Sequence, residues 1–109
     1  MLDKQAEDVI ILDLRKLTTL ADYFVIGTGS VDVHVKAIVD NVDRSLRTAK
    51  NPLKPLHLEG YTHLNWVLLD YGDVVVHVFK EESRQYYQLE QLWGDAPIER
   101  VVDEPPAVS

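Results

Sequence analysis

Residues 66–79 read W-V-L-L-D-Y-G-D-V-V-V-H-V-F, two apolar runs on either side of Tyr71-Gly72. The apolar residues alternate too closely for a helical stripe, and their β-branched density favours strand, so the stretch predicts a β-hairpin. With Tyr71-Gly72 as a two-residue loop, Asp70 pairs with Asp73, Trp66 stands opposite His77 and Leu68 opposite Val75. One face then carries Val67, Leu69, Val74, Val76 and Val78, dry and uniform as core requires. The other carries Trp66, Leu68, Asp70, Val75, His77 and Phe79, an aromatic and partly polar surface suited to a partner. A three-residue loop would regroup the strands but leave Trp66, Leu68 and Asp70 together on theirs.

The rest of the chain gives this hairpin a modest setting. With 109 residues it has the length of one ordinary domain, able to close a single core without staples. It contains no cysteine, which excludes disulfides and thiolate metal sites. The formal charge is −7, with nine acidic against three basic residues in positions 61–109. Such a chain repels phosphate backbones, which argues against direct nucleic-acid binding and favours a basic protein partner. No apolar run reaches the ~20 residues of a membrane span, and residues 1–5 lack a secretory or transit pattern, so a cytoplasmic protein is expected.

In chain order, residues 1–8 are helix-tolerant and suit the last turns of an N-terminal helix. Val9–Leu14 and Tyr23–Thr28 predict two antiparallel strands. Ser30 or Asp32 is placed to cap a helix whose apolar stripe is Val35, Ile38, Val42 and Leu46, ending at Asn51-Pro52. Leu56–Gly60 predicts a short strand before the hairpin. A last helix begins at Glu81, with Tyr86, Leu89 and Trp93 turned to the sheet, Tyr87 elsewhere and Gly94 at its end. The expected fold is α+β: a two-layer mixed sheet of about five strands with helices packed on one face. Residues 1–100 form the expected single domain, and 101–109 a flexible tail.

The motifs for catalytic and metal chemistry are incomplete in this chain. Gly27-x-Gly29-Ser30 lacks the third glycine of a dinucleotide fingerprint and the Gly-Lys-Ser/Thr of a P-loop, so it reads as a turn and helix cap. Asp70 and Asp73 flank a turn instead of alternating along one strand, a poor arrangement for a metal pair in nucleotidyl transfer. The histidines, His34, His57, His63 and His77, include no helical i, i+4 zinc pair. No G-x-S-x-G turn presents a nucleophile. The expectation is therefore no catalytic residue, no metal and no cofactor. Trp66 serves either as core, the commoner role of a Trp in a sheet, or as an interface anchor, a reading that gains from its mixed face. His77 either packs in the sheet or offers a donor beside Trp66.

The same residues carry a wider pattern. Ala21-Asp22-Tyr23-Phe24-Val25-Ile26, Glu59-Gly60, the hairpin, and Tyr86-Tyr87-x-Leu89-Glu90-x-Leu92-Trp93-Gly94-Asp95-Ala96-Pro97 closely resemble the ribosomal silencing factor (Iojap-like) family. The resemblance implies a nucleotidyltransferase-like topology without catalytic acids. It implies a translation repressor of the large ribosomal subunit, bound through ribosomal protein fourteen and sterically blocking association with the small subunit. Family members also form homodimers, so a second copy of the chain is another expected partner. The positions carried over as partner-facing are Trp66, Leu68, Asp70, Tyr71, His77 and Glu59. Trp66 would be a desolvated anchor, Asp70 would pair with basic groups, and His77 would support the rim. The chain departs from the family in a shortened N-terminal helix and in Val33, where a basic residue is common. A metal-dependent nucleotidyltransferase and a plain homodimeric module are the rival readings.

Overall fold

The computed structural model describes residues 6–101. Strands β1 (Glu7–Asp13) and β2 (Tyr23–Gly29) pair antiparallel, as two consecutive apolar runs with a short connection should. Helix α1 (Asp32–Arg47) then crosses over, followed by β3 (His57–Glu59), β4 (Trp66–Asp70) and β5 (Val74–Lys80). Two short helices, α2 (Glu81–Tyr87) and α3 (Leu89–Leu92), precede β6 (Ile98–Arg100). The strands form one six-stranded mixed sheet in the order β3-β4-β5-β2-β1-β6, in which only β2 and β5 run parallel. This is the expected mixed α+β class, with six strands in place of about five. The additional strand is β6, which follows Pro97 and adds to the edge of β1. Three residues with no apolar alternation carry no strand signal of their own; the open ladder of β1 supplies it.

Helix α1 lies against the face predicted to be dry. Val35, Ile38 and Val39 close over Val67, Leu69 and Val78, all six buried. Gly29 permits this approach, since a Cβ there would meet the backbone nitrogen of Val35 at 2.9 Å. The cap differs from expectation. Val31 occupies the N-cap position without a side-chain bond, while the Ser30 N–H donates to His34 Nδ1 at 2.9 Å. Asp32 in the first turn pairs with Lys80 at 2.6 Å and tethers the helix to the end of β5.

The hairpin register shifts from the simplest reading. Trp66 pairs with Phe79, Leu68 with His77 and Asp70 with Val75, and the loop is Gly72-Asp73. Two local bonds decide it: the Tyr71 N–H donates to the Val74 carbonyl at 2.9 Å, and the Gly72 N–H to Asp70 Oδ1 at 2.8 Å. Gly72 takes φ +93°, which suits the first central position of a two-residue hairpin turn. Moving the loop by one residue slides both strands together, so the two sets of faces predicted from alternation survive intact. Only the cross-strand partners change.

The second face is less open than expected. Ile10, Leu12, Ile26 and Phe79 form a second buried cluster on it, closed by Leu14, Leu89 and Ala96. The helix predicted as continuous from Glu81 is broken at Gln88, which adopts a left-handed conformation at φ 46°. That break exchanges two predicted roles. Tyr86 is 81 % exposed, whereas Tyr87 turns in to lie 4.9 Å from the Trp66 ring. Trp93 packs on the cluster as expected, and α3 ends at Leu92, ahead of Gly94. Of the stretch 1–8 expected to be helical, Glu7 and Asp8 are strand, while residues 1–5 lie outside the described residues, as does most of the predicted tail.

Arg84 ties α2 to the first hairpin. Its Nη1 donates to the carbonyl of Asp8 at 2.6 Å and to Thr28 Oγ1 at 2.7 Å, and Asp8 sits at a bulge with φ 49°. Two charge-assisted bonds hold a backbone conformation that a non-glycine residue rarely adopts. Arg84→Ala is expected to lower stability by about 2 kcal/mol, measured by urea unfolding, because the Arg84 side chain is largely withdrawn from water.

Candidate partner-binding face

The registry across three strands assembles most of the predicted residues into one surface. Glu59 pairs with Leu68, and Leu68 with His77, so these three lie in one row across β3, β4 and β5. His57 pairs with Asp70, and Asp70 with Val75, forming the next row. Trp66 and Phe79 make the third. Side chains in successive rows two residues apart share a face. Glu59, Trp66, Leu68, Asp70 and His77 therefore stand on the side opposite α1. Tyr71 does not. It packs on the α1 cluster, where its hydroxyl is buried without a hydrogen-bond partner among the described residues. Burial pushes that hydroxyl's pKa up, and the nearby Asp43 carboxylate adds to the effect.

Trp66 is half-buried and held on three sides. Its ring stacks on Phe79 at 4.8 Å and leans on Tyr87 at 4.9 Å. Its indole N–H donates to His77 Nδ1 at 3.0 Å. An indole nitrogen can only donate, so Nδ1 is the acceptor and the neutral imidazole carries its proton on Nε2. His77 itself is 3 % exposed and edges onto Phe24, ring centroids 4.5 Å apart. It is thus a floor beneath the surface, in place of the expected rim position. Its Nε2 is buried with no partner among the described residues, an arrangement that costs about 1–3 kcal/mol.

The rim is acidic. Glu59 is exposed on the edge strand, and Asp70 stands two residues from Leu68, with one carboxylate oxygen committed to the Gly72 turn. Sequence reasoning missed Tyr87 and His57 as members of this surface. Their signals were slight, since Tyr87 depends on the helix break and His57 on pairing with Asp70. Among the described residues no group of three or more histidine or carboxylate side chains converges as a metal site would require. No helix among them is long and apolar enough to cross a membrane.

Comparison with known proteins bears on what such a surface serves. The model of a family described as ribosomal silencing factor during starvation matches residues 1–108. The chain belongs to the ribosomal silencing factor family. It is 45 % identical over 96 residues to a ribosomal silencing factor of Bacillus subtilis, covering 88 % of this chain and 80 % of that protein. An Iojap-related mitochondrial protein of Arabidopsis thaliana is 33 % identical over 96 residues, 84 % of this chain and 51 % of the plant protein. Among solved structures, a Chromobacterium violaceum protein superposes with a TM-score of 0.78 at 36 % identity, covering 98 % of this chain and 82 % of that one. A Bacillus halodurans protein gives 0.76 at 37 % identity, with 91 % and 88 % covered. Silencing-factor membership and the mixed α+β sheet thus agree with the resemblance carried by the motifs.

The buried imidazole makes this family member acid-sensitive in a defined window. Burial lowers the pKa of His77 from its ordinary 6.5 to about 4. Between those values the unfolded chain binds a proton that the folded chain does not, so stability rises with pH. The contribution is complete above pH 6.5 and lost progressively as pH falls toward 4, a difference of roughly 3 kcal/mol. Urea unfolding at pH 7.5 and pH 4.5 should show this loss in the wild type. His77→Leu, which has nothing to protonate there, should show a smaller one.

Proposed function

We propose that this chain is a ribosome-associated repressor of translation that binds the large subunit through ribosomal protein fourteen and keeps the small subunit from joining. Membership of the silencing-factor family over nearly the whole chain is the observation that carries this reading. The role is regulatory, and the chain acts by occupying a surface. Occlusion needs a bound body of sufficient bulk at a closely apposed interface. The described body extends over 37 × 32 × 28 Å, the bulk that such a role calls for.

The partner side is the surface opposite α1. Trp66 and Leu68 supply apolar area, and Glu59 and Asp70 supply a negative rim for a basic ribosomal protein. Charge at such a rim acts chiefly on the association rate and its salt dependence, while a central aromatic sets the lifetime of the complex. Tyr71 contributes from behind, by fixing the hairpin end against α1.

Co-sedimentation with isolated large subunits, followed by a light-scattering assay of subunit joining, tests both halves. Wild-type chain should co-sediment and suppress joining. Trp66→Ala should weaken binding by about thirtyfold, equivalent to ~2 kcal/mol. Its folding is checked by circular dichroism, since the same ring covers Phe79. Glu59→Lys should slow association most at low salt while leaving thermal stability unchanged. Binding without any effect on joining would remove the occlusion mechanism.

A further inference from the structure

Resting on the repressor reading, we infer that His77 is a positioning residue that turns the Trp66 indole N–H inward, so that the partner is met by the ring's carbon surface alone. Three observations carry this. The Trp66 Nε1–His77 Nδ1 bond is 3.0 Å and lies beneath the surface, with His77 buried. Phe79 and Tyr87 flank the same ring at 4.8 and 4.9 Å, which leaves the indole little freedom to turn over. Finally, His77 is a poor choice for packing alone, because its buried Nε2 is left without a partner among the described residues. A leucine would fill that space with no unpaired donor. The histidine is explained by the one bond it does make.

The consequence is chemical. A partner pocket for Trp66 needs no hydrogen-bond acceptor, because the indole's only donor is already satisfied. What remains outward is a π face and a carbon edge. Such a surface takes the aliphatic stem and cationic head of a lysine or arginine, the side chains in which a basic protein is rich. The acidic residues Glu59 and Asp70, on the same face of the neighbouring rows, suit the same cations.

The test uses the full chain with 15N label, the two indole signals being assigned with Trp66→Phe. In the isolated wild type, the Trp66 indole proton should exchange with solvent slowly. Exchange at the rate of a free indole would overturn the inference with no variant needed. His77→Leu should accelerate that exchange at least about tenfold and weaken large-subunit binding by about fivefold to tenfold, with a native circular dichroism spectrum. His77→Asn, whose Oδ1 can stand in for Nδ1, should recover binding to within about twofold of wild type. A purely structural role predicts the opposite order, with polar Asn worse than apolar Leu, and that result would reject the positioning role. Trp66→Phe keeps a ring face without the N–H and should bind better than Trp66→Ala; equal loss in both would overturn the partner chemistry. If wild type fails to bind large subunits at all, the repressor reading falls, while slow indole exchange would still establish the Trp66–His77 bond.

Discussion

The parallel ladder between β2 and β5 is the joint on which the fold depends. It runs from Tyr23 opposite Val74 to Gly29 opposite Lys80 and joins two antiparallel units, β1-β2 on one side and β3-β4-β5 on the other. Parallel strands cannot be linked by a tight turn, so the chain must cross over between them, and α1 is that crossover. Its placement against Val67, Leu69 and Val78 follows. So does the placement of Trp66, His77 and Phe79 on the opposite side. The hairpin turn is drawn into the same joint: the Asp73 carbonyl accepts from the N–H groups of Asp22 at 2.7 Å and Tyr23 at 3.1 Å, where β2 begins.

Against that frame the opposite face divides into a closed and an open region. Where the C-terminal turns fold back, Leu89 and Ala96 complete a core with Ile10, Leu12, Ile26 and Phe79. Toward the β3 edge nothing comparable among the described residues covers Glu59, His57 and Leu68. Trp66 sits at the boundary, its inner side belonging to the core and its outer side to the surface. One residue therefore stands in the core and on the surface at once, and His77 beneath it accepts its indole N–H. A buried, half-satisfied imidazole is a thermodynamic weakness in a small domain whose total stability is about 5–15 kcal/mol. Its retention makes sense as a constraint on the Trp66 ring.

Much of this was legible in the chain. The period-two alternation of residues 66–79 separated the two faces correctly even though the loop was placed one residue early. Face membership depends on parity, which a slide of both strands preserves, whereas cross-strand pairing depends on the turn. The stripe of Val35, Ile38 and Val42 likewise identified the helix and its buried side. Tyr71 belongs to the same contiguous motif as Trp66, Leu68 and Asp70, yet its odd-numbered position sets it against the α1 cluster. Tyr86 and Tyr87 were exchanged because a left-handed residue at Gln88 has no glycine to announce it.

By itself, then, the sequence determined the family, most of the strand and helix inventory short of the edge strand β6, the strand start at Glu7 and the helix break at Gln88, and which hairpin residues share a side. These follow from local propensity, periodicity and motif, all of which act over a few residues. Only the tertiary structure decided that β6 adds to β1, that the C-terminal turns close half of the second face, and that His77 lies under Trp66. Each depends on contacts between segments distant in the chain. The Arg84 bond to Asp8 spans 76 positions and the Trp66–His77 bond 11, and no local pattern encodes which side chains such closures bring together.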